Sequence, residues 1–90
     1  MVAMGNSSWY VYVIRATDGS LYTGITTDVE RRFTQHKNKQ GAKYFLGRTP
    51  QEVVYKEGCS DRSQASQREY AIKALTKKQK EKLIANYVRT

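Results

Sequence analysis

Cysteine and histidine are almost absent from this sequence of 90 residues, which holds only Cys59 and His36. A single thiol makes no intrachain disulfide and no CxxC metal or redox pair. One cysteine and one histidine also fall short of the ligands that a structural zinc site requires. We therefore interpret Cys59 as an incidental thiol of a protein that works in the reducing cytoplasm.

Long hydrophobic runs are absent as well. The longest covers residues 9–14, whereas a helix that crosses a bilayer needs about 20 residues. Residues 1–8 show no charged start followed by an apolar stretch, so they predict a flexible leader and not a signal peptide. The length suits one domain, which we predict at residues 9–86, with residues 87–90 as a C-terminal tail.

Acidic residues are the third shortage. Sixteen Lys and Arg stand against eight Asp and Glu, which gives a formal net charge of +8. Residues 31–51 contain no acid, and residues 62–90 contain two. Tyrosine and phenylalanine are interleaved with these basic stretches. The pattern favours a polyanionic partner, above all nucleic acid, over a merely solvated surface. Such binding is expected to weaken as salt rises, because it releases counterions.

Three segments are typical of β-strands. Aromatic and β-branched residues dominate residues 9–15 and 21–26, and Thr-Asp-Gly lies between them at residues 17–19. This arrangement predicts a β-hairpin. A third strand is predicted at residues 52–57, after Pro50, which we interpret as a breaker.

The length of the hairpin loop decides whether Tyr12 and Tyr22 share a face of the sheet. A two-residue loop would put the two phenols on opposite faces. A three-residue loop, with Gly19 in the left-handed region, pairs Ala16 with Ser20 and makes the two tyrosines diagonal neighbours. We predict the three-residue loop, because only that register brings the phenols together.

Capping signals predict a helix after the hairpin. Thr27 fits the first position of a capping box, which a glutamate three residues later completes. The helix is predicted from residue 28 to about residue 38. Arg32 and His36 are four residues apart and therefore share one face of it. A short helical turn is predicted at residues 42–47.

Two further helices are predicted in the second half of the chain. Asp61 is expected to cap a helix over residues 62–75, in which Glu69 takes a position where the spacing predicts an apolar residue. The other members of that inward stripe are Ala65, Ile72 and Leu75. Thr76, with a glutamine three residues later, fits a capping box that opens a last helix to about Ala85. The carboxylate in the apolar stripe is the least ordinary feature of these helices.

Five chemical groups stand out along these elements: Tyr12, Tyr22, Arg32, His36 and Glu69. Each alone is ordinary, but together they suit hydrolysis of a phosphodiester, which needs an activated water and neutralisation of the growing phosphorane charge. A phenol acts as a base only when a nearby cation lowers its pKa from about 10. Arg32 and a metal ion meet that need. One carboxylate without an acidic partner predicts a single Mg²⁺ that keeps many waters, and argues against a two-metal site.

A family resemblance follows from the order of these residues. The Tyr-Val-Tyr segment at residues 10–12, followed by Tyr-Thr-Gly at residues 22–24, resembles the paired motif of the GIY-YIG nuclease superfamily. In that family an arginine and a histidine follow on the first helix, as Arg32 and His36 do here. A metal-binding glutamate comes from a later helix, and Glu69 matches it.

The resemblance covers residues 9–84, and residues 41–44 and 75–80 are similar to the small, single-domain bacterial branch of the superfamily. It implies an α+β fold, in which a small three-stranded antiparallel sheet is flanked by helices. Two positions depart from the family pattern. Tyr10 stands where the opening motif has its first glycine, and Asn86 is the only candidate for an asparagine near the end of the domain.

The resemblance also implies a role for each of the five groups. Tyr12 would be the base for the attacking water, and Tyr22 would orient the phosphate or share in that role. Arg32 would stabilise the pentavalent phosphorus, and His36 would hydrogen-bond the tyrosine pair or a phosphate oxygen. Glu69 would hold one Mg²⁺, or Mn²⁺, against the scissile phosphate.

The expected substrate is nucleic acid, and structured or damaged DNA before RNA, with any sequence targeting left to a protein partner. The resemblance gives Gly24 the task of letting the substrate approach the strand closely. The expected nucleic-acid contacts are Gly24, Arg31, Lys37, Lys43, Lys77, Lys78 and Lys80.

Two other functions stay open at this point. A module that binds nucleic acid without cutting it would depend on its lysines more than on Tyr12. The lysines of residues 77–82 either contact phosphates or form a solvated helix face. An accessory domain would instead bind a protein partner through aromatic residues, with Tyr44, Phe45 and Tyr55 as candidates.

Overall fold

The computed structural model describes residues 7–87, which form a three-stranded antiparallel sheet and three α-helices. The strands are β1 (Trp9–Ala16), β2 (Leu21–Thr26) and β3 (Pro50–Cys59), and the helices are α1 (Val29–Lys37), α2 (Arg62–Lys73) and α3 (Lys77–Ala85). A 3₁₀ turn, Lys43–Leu46, lies between α1 and β3. β1 is the central strand, with β2 and β3 on either side of it. The α+β architecture is therefore confirmed.

Most of the predicted leader and tail, residues 1–6 and 88–90, lies outside the described residues. Ser8 Oγ, at the described end of the leader, donates to the carbonyl oxygen of Ser60 at 2.7 Å. This bond attaches the start of β1 to the residue that follows β3. Within residues 7–87, no helix combines the length and the apolar character needed to cross a bilayer.

The hairpin has the predicted three-residue loop. The N–H of Ala16 donates to the carbonyl oxygen of Ser20, and the N–H of Gly19 donates back to Ala16, both at 2.9 Å. Gly19 has φ +86°, the left-handed conformation that glycine adopts without steric cost. Tyr12 and Tyr22 consequently lie on the same face of the sheet, as predicted.

The two faces of the sheet bury separate cores, because side chains alternate along each strand. The first core, on the side of α2 and α3, consists of Val11, Val13, Val54, Cys59, Ala65, Ile72 and Ile84. The second core, on the side of α1 and the 3₁₀ turn, consists of Tyr12, Ile14, Ala16, Val29 and Phe45. Any site that is built on Tyr12 therefore lies on the α1 side of the sheet.

Two of the three predicted helix caps are confirmed. Asp61 accepts a backbone N–H in the first turn of α2 at 2.8 Å, and Thr76 forms both halves of the capping box of α3. The prediction that Thr27 caps α1 is wrong. Asp28 has an extended backbone, φ −147° and ψ 100°, and its carboxylate accepts the N–H of Arg31 at 3.0 Å. The helix therefore begins one residue later than predicted.

The third strand is longer than the predicted residues 52–57, because it begins at Pro50. Our interpretation of Pro50 as a breaker is therefore wrong. Proline has no N–H to donate to a neighbouring strand. It is tolerated at the first residue of a strand, because the run of hydrogen bonds between the strands is not interrupted there. Cys59, at the other end of β3, is a buried free thiol.

Polar contacts attach α3 to the hairpin. The guanidinium of Arg15 forms two hydrogen bonds with the carboxylate of Glu81, both of 2.8 Å. Lys77 Nζ donates to the carbonyl oxygen of Gly19 at 2.7 Å. Lys77, which we expected to contact nucleic acid, therefore already binds a backbone group within the fold.

The two cores allow a direct test of the fold. Ile72 is 1 % exposed in the first core, whereas Leu46 is 60 % exposed. We expect Ile72→Ala to lower the free energy of unfolding by about 2–5 kcal/mol, because it removes buried methyl groups and leaves a cavity. The control Leu46→Ala should change it by about 0.5 kcal/mol or less. Denaturant titration measures both, and equal effects would contradict the assignment of the core.

Candidate active site

Aromatic rings from β1, β2, α1 and the 3₁₀ turn form a cluster on the α1 side of the sheet. The ring centroids of Tyr12 and Tyr22 are 6.2 Å apart, and that of His36 lies 6.0 Å from Tyr12 and 5.3 Å from Tyr22. Phe45 closes the cluster, at 4.8 Å from His36. Aromatic pairs commonly pack at centroid distances of about 4.5–7 Å. Packing therefore brings three of the five predicted site residues together.

A hydrogen bond of 2.8 Å joins Tyr12 Oη to His36 Nε2. The two residues are 1 % and 0 % exposed. His36 reaches the tyrosine because it lies in the last turn of α1, on the side of the helix that faces the sheet. A buried hydrogen bond between neutral groups avoids the cost of leaving either one unpaired.

Gly24 has a different use from the one expected. A Cβ on this residue would lie 2.6 Å from Tyr12 Oη and 3.0 Å from Tyr22 Cε2. The two phenol rings thus occupy the space above its Cα, and Gly24 itself is buried. The expectation that Gly24 contacts nucleic acid is corrected, because the close approach it permits is that of the tyrosine rings.

Sequence patterns did not predict the segment that packs on His36. A Cβ on Gly41 would overlap Nδ1 and Cε1 of the imidazole, and the backbone N–H of Ala42 donates to Nδ1 at 3.3 Å. Lys39 supports the following turn, since its Nζ donates to the carbonyl oxygen of Phe45 at 2.8 Å. The one local signal was an isolated glycine, which by itself indicates only a close backbone approach.

Burial keeps the phenol and the imidazole neutral. It raises the pKa of Tyr12 above that of an ordinary phenol, and the neighbouring Tyr22 adds to the rise. The nearby guanidinium of Arg32 opposes that rise in the pKa of Tyr12. Burial, followed by the charge of Arg32, lowers the pKa of His36 from 6.5 to about 4. At neutral pH, Tyr12 and His36 are thus both uncharged, and Arg32 is the positive charge that influences them.

Arg32 lies on α1 one turn before His36 and is partly exposed. Its Nη1 donates to Oε1 of Gln35 at 2.9 Å, which holds the guanidinium beside the cluster. Because its charge lowers the pKa of both Tyr12 and His36, the structure brings Arg32 to the same site.

Glu69 approaches the site from another direction. It lies on α2, whose Ala65 and Ile72 pack on the opposite face of the sheet. Its Oε2 is 3.0 Å from Lys73 Nζ, and its side chain is 24 % exposed. The carboxylate still contributes to the raised pKa of Tyr12, so it lies within electrostatic reach of the phenol.

No group of three or more His, Cys, Asp or Glu side chains within residues 7–87 is placed to hold a metal ion. Of the five predicted residues, Glu69 alone offers a carboxylate, and its 24 % exposure leaves room for water beside it. A single oxygen ligand with open surroundings suits Mg²⁺, which binds few protein groups and keeps several waters. The donor set therefore fits the predicted ion.

The remaining expected nucleic-acid contacts lie at the surface. Lys80 is partly exposed, and the exposed members are Arg31, Lys37, Lys43 and Lys78. Their contact with nucleic acid stays a prediction. Arg68, by contrast, is already paired with an acidic residue, since its Nε lies 2.9 Å from Oε2 of Glu57.

Comparison with known proteins agrees with this fold. Residues 8–82 match the model of the GIY-YIG catalytic domain. The UPF0213 protein YhbQ of Escherichia coli is 51 % identical over 77 residues, which cover 86 % of this chain and 77 % of YhbQ. A UPF0213 protein of Desulfotalea psychrophila is 50 % identical over 78 residues, covering 86 % and 71 % of the two chains. The solution NMR structure of the UPF0213 protein BH0048 from Bacillus halodurans matches with a TM-score of 0.55 and 42 % identity, over 86 % of this chain and 82 % of that one.

A small antiparallel sheet that carries paired tyrosines beside an arginine, a histidine and a glutamate defines a domain of the GIY-YIG nuclease class. The chain belongs to the GIY-YIG family, and within it to the UPF0213 proteins.

The buried imidazole predicts a specific loss of stability in mild acid. The pKa of His36 is about 4 in the folded protein and 6.5 without burial. Because the unfolded chain binds the proton more readily, His36 contributes stability that is complete above pH 6.5 and is lost as pH falls toward 4. Between pH 8 and pH 5 we expect a loss of about 2 kcal/mol. Denaturant titration at the two pH values measures it.

His36→Gln is the matched control, because it removes the titrating group and keeps a polar side chain. The difference in unfolding free energy between pH 8 and pH 5 should shrink in this variant. The carboxylates with shifted pKa values, Asp18, Glu57 and Glu81, all titrate below that window, since each pKa is lowered. An unchanged pH dependence in His36→Gln would mean that the imidazole is not held neutral.

Proposed function

We propose that this protein is an Mg²⁺-dependent endonuclease that hydrolyses phosphodiester bonds of nucleic acid, with structured or damaged DNA as the substrate class. The observation that carries the proposal is the buried Tyr12–His36 hydrogen bond, beside Tyr22 and within reach of Arg32 and Glu69. Membership of a nuclease family supports it. The net charge of +8 supports a polyanionic substrate.

Tyr12 is the proposed base for the attacking water. Burial opposes ionisation of its phenol, because a phenolate in the core loses hydration. The guanidinium of Arg32 opposes that effect, because a nearby positive charge favours the phenolate. A phosphodiester is itself anionic, so its negative charge offsets part of the positive charge of Arg32 when substrate binds. The reaction therefore calls for a further positive charge near the phenol.

Glu69 is the proposed holder of that charge. An Mg²⁺ bound there would supply positive charge to the scissile phosphate and to the leaving oxygen. Lys73 forms an ion pair with this carboxylate in the free protein, and an ion pair at a partly exposed position stabilises by about 1 kcal/mol or less. Replacement of Lys73 by a divalent cation therefore costs little free energy. Tyr22 would orient the phosphate, and Arg32 would neutralise the pentavalent phosphorus.

One observation favours a second candidate function. Tyr12 is 1 % exposed, so an attacking water reaches its hydroxyl only if substrate binding opens the cluster. A protein in which that opening does not occur would bind nucleic acid without cutting it. The same basic surface serves both functions, and a cleavage assay separates them.

Cleavage in the presence of Mg²⁺ or Mn²⁺ on duplex, flapped, branched and single-stranded substrates tests the proposal. We expect Tyr12→Phe and Glu69→Gln each to lower the cleavage rate by about 100-fold or more, because they remove the base and the metal ligand. Tyr70→Phe is a matched control for the phenol, since Tyr70 is 80 % exposed beside Glu69.

Lys73→Gln is a matched control for the carboxylate, because it breaks the ion pair and leaves Glu69 in place. Both control variants should retain cleavage. Undiminished cutting by Glu69→Gln would exclude the proposed metal site. Binding without cutting on every substrate would favour the second candidate function.

The surface lysines predict a salt-dependent binding constant. Lys43 is exposed, and loss of one phosphate contact changes the slope of log K against log salt by about 0.9 on duplex DNA. We expect Lys43→Gln to make the slope shallower by that amount, measured in the Glu69→Gln background so that no substrate is cut. Arg68→Gln is the control, because Glu57 already binds Arg68. Equal slopes in the two variants would mean that Lys43 makes no contact with a phosphate of the nucleic acid.

A further inference from the structure

The segment that follows α1 surrounds the one histidine on the side away from Tyr12. Gly41 leaves no room for a Cβ above Nδ1 of His36. The N–H of Ala42 points at the same nitrogen, with an N···N distance of 3.3 Å. The ring of Phe45 packs against the imidazole at a centroid distance of 4.8 Å. Each ring nitrogen of His36 therefore has a defined partner, Ala42 for Nδ1 and Tyr12 for Nε2.

The partner of Nδ1 determines where the imidazole carries its hydrogen. A backbone N–H only donates, so Nδ1 of His36 must present its lone pair to Ala42. A neutral imidazole has one N–H, which is then on Nε2. The imidazole is neutral at pH 7, because its pKa is lowered to about 4. A second proton on Nδ1 would also place two donors against each other at Ala42.

We infer that Gly41 and Ala42 are positioning residues which fix His36 as the Nε2–H tautomer, so that His36 donates its hydrogen bond to Tyr12 and does not accept the proton of Tyr12. The 2.8 Å bond between the two side chains then runs from Nε2–H to the phenol oxygen. This inference rests on the proposed function only for its catalytic consequence. The tautomer itself follows from the geometry at Ala42.

The direction of that hydrogen bond assigns a task to His36 in the proposed reaction. When Tyr12 ionises, its O–H bond breaks, the electron pair stays on Oη, and the proton passes to water. Nε2–H of His36 remains bonded to the resulting phenolate and stabilises it, as a donor to a charged acceptor does. With the lone pair of Nδ1 directed at Ala42, the ring has no free site for the phenol proton.

The tautomer is directly measurable, because His36 is the only histidine in the chain. Protein labelled with ¹⁵N-histidine gives one pair of ring nitrogen resonances. At pH 7 we expect Nδ1 in the range of an unprotonated nitrogen and Nε2 in the range of a protonated one. The reverse assignment, or averaged shifts of a ring that exchanges between tautomers, would overturn the inference.

Gly41→Ala tests the positioning, and Gly47→Ala is its control, because a Cβ at Gly47 meets nothing within 4 Å. In Gly41→Ala we expect averaged ring nitrogen shifts and a decrease in kcat of about tenfold or more, with KM little changed, since the loss concerns the phenolate and not substrate binding. Gly47→Ala should match the parent protein in both measurements. A fixed Nε2–H tautomer in Gly41→Ala would contradict the role of Gly41.

If Gly41→Ala does not fold, replacement of Ala42 by lactate removes only the N–H and keeps the side chain. The ester should abolish the fixed tautomer, and a tautomer that persists would overturn the role of Ala42. The nitrogen spectrum needs neither metal nor substrate, so it separates this inference from the proposed function. An Nε2–H tautomer in a protein that cuts no substrate would support the inference and contradict only the nuclease proposal.

Discussion

The left-handed turn at Gly19 is the constraint on which the site depends. Its three-residue loop sets the pairing of β1 with β2, and a shift of one residue would send Tyr22 to the opposite face. With this register the two phenols share a face, and the absence of a side chain at Gly24 leaves room for both rings. His36 then meets Tyr12 because α1 packs on that same face.

Local patterns in the sequence predicted the strands and the caps at Asp61 and Thr76, because each depends on a few neighbouring residues. The loop length was predicted in another way, from the requirement that Tyr12 and Tyr22 share a face of the sheet. Contacts between distant residues were not predictable in that way. Thr27 and Asp28 are both good caps by residue type, and the structure shows that Asp28 is the one whose side chain accepts a backbone N–H of the first turn. The use of Gly24 and the burial of His36 depend on which side chains fill the space around them.

The site combines neutral buried groups with charges at its border. Tyr12 and His36 are uncharged at neutral pH because they are buried, whereas Arg32 and Glu69 remain partly exposed. Such a cluster is stable without substrate, since no charge lies in the core without a partner. The proposed reaction requires the opposite, an ionised phenol. Arg32 opposes the rise in the pKa of Tyr12, and in our proposal a divalent metal and the hydrogen bond from His36 lower that pKa further.

The most direct test of whether Glu69 holds a divalent metal ion is anomalous scattering from crystals soaked in Mn²⁺. We predict one peak within direct coordination distance of the carboxylate of Glu69, with Lys73 displaced from its present 3.0 Å contact. This role of Glu69 would be contradicted if the ion pair between Glu69 and Lys73 stayed intact and Mn²⁺ bound at another place or did not bind at all.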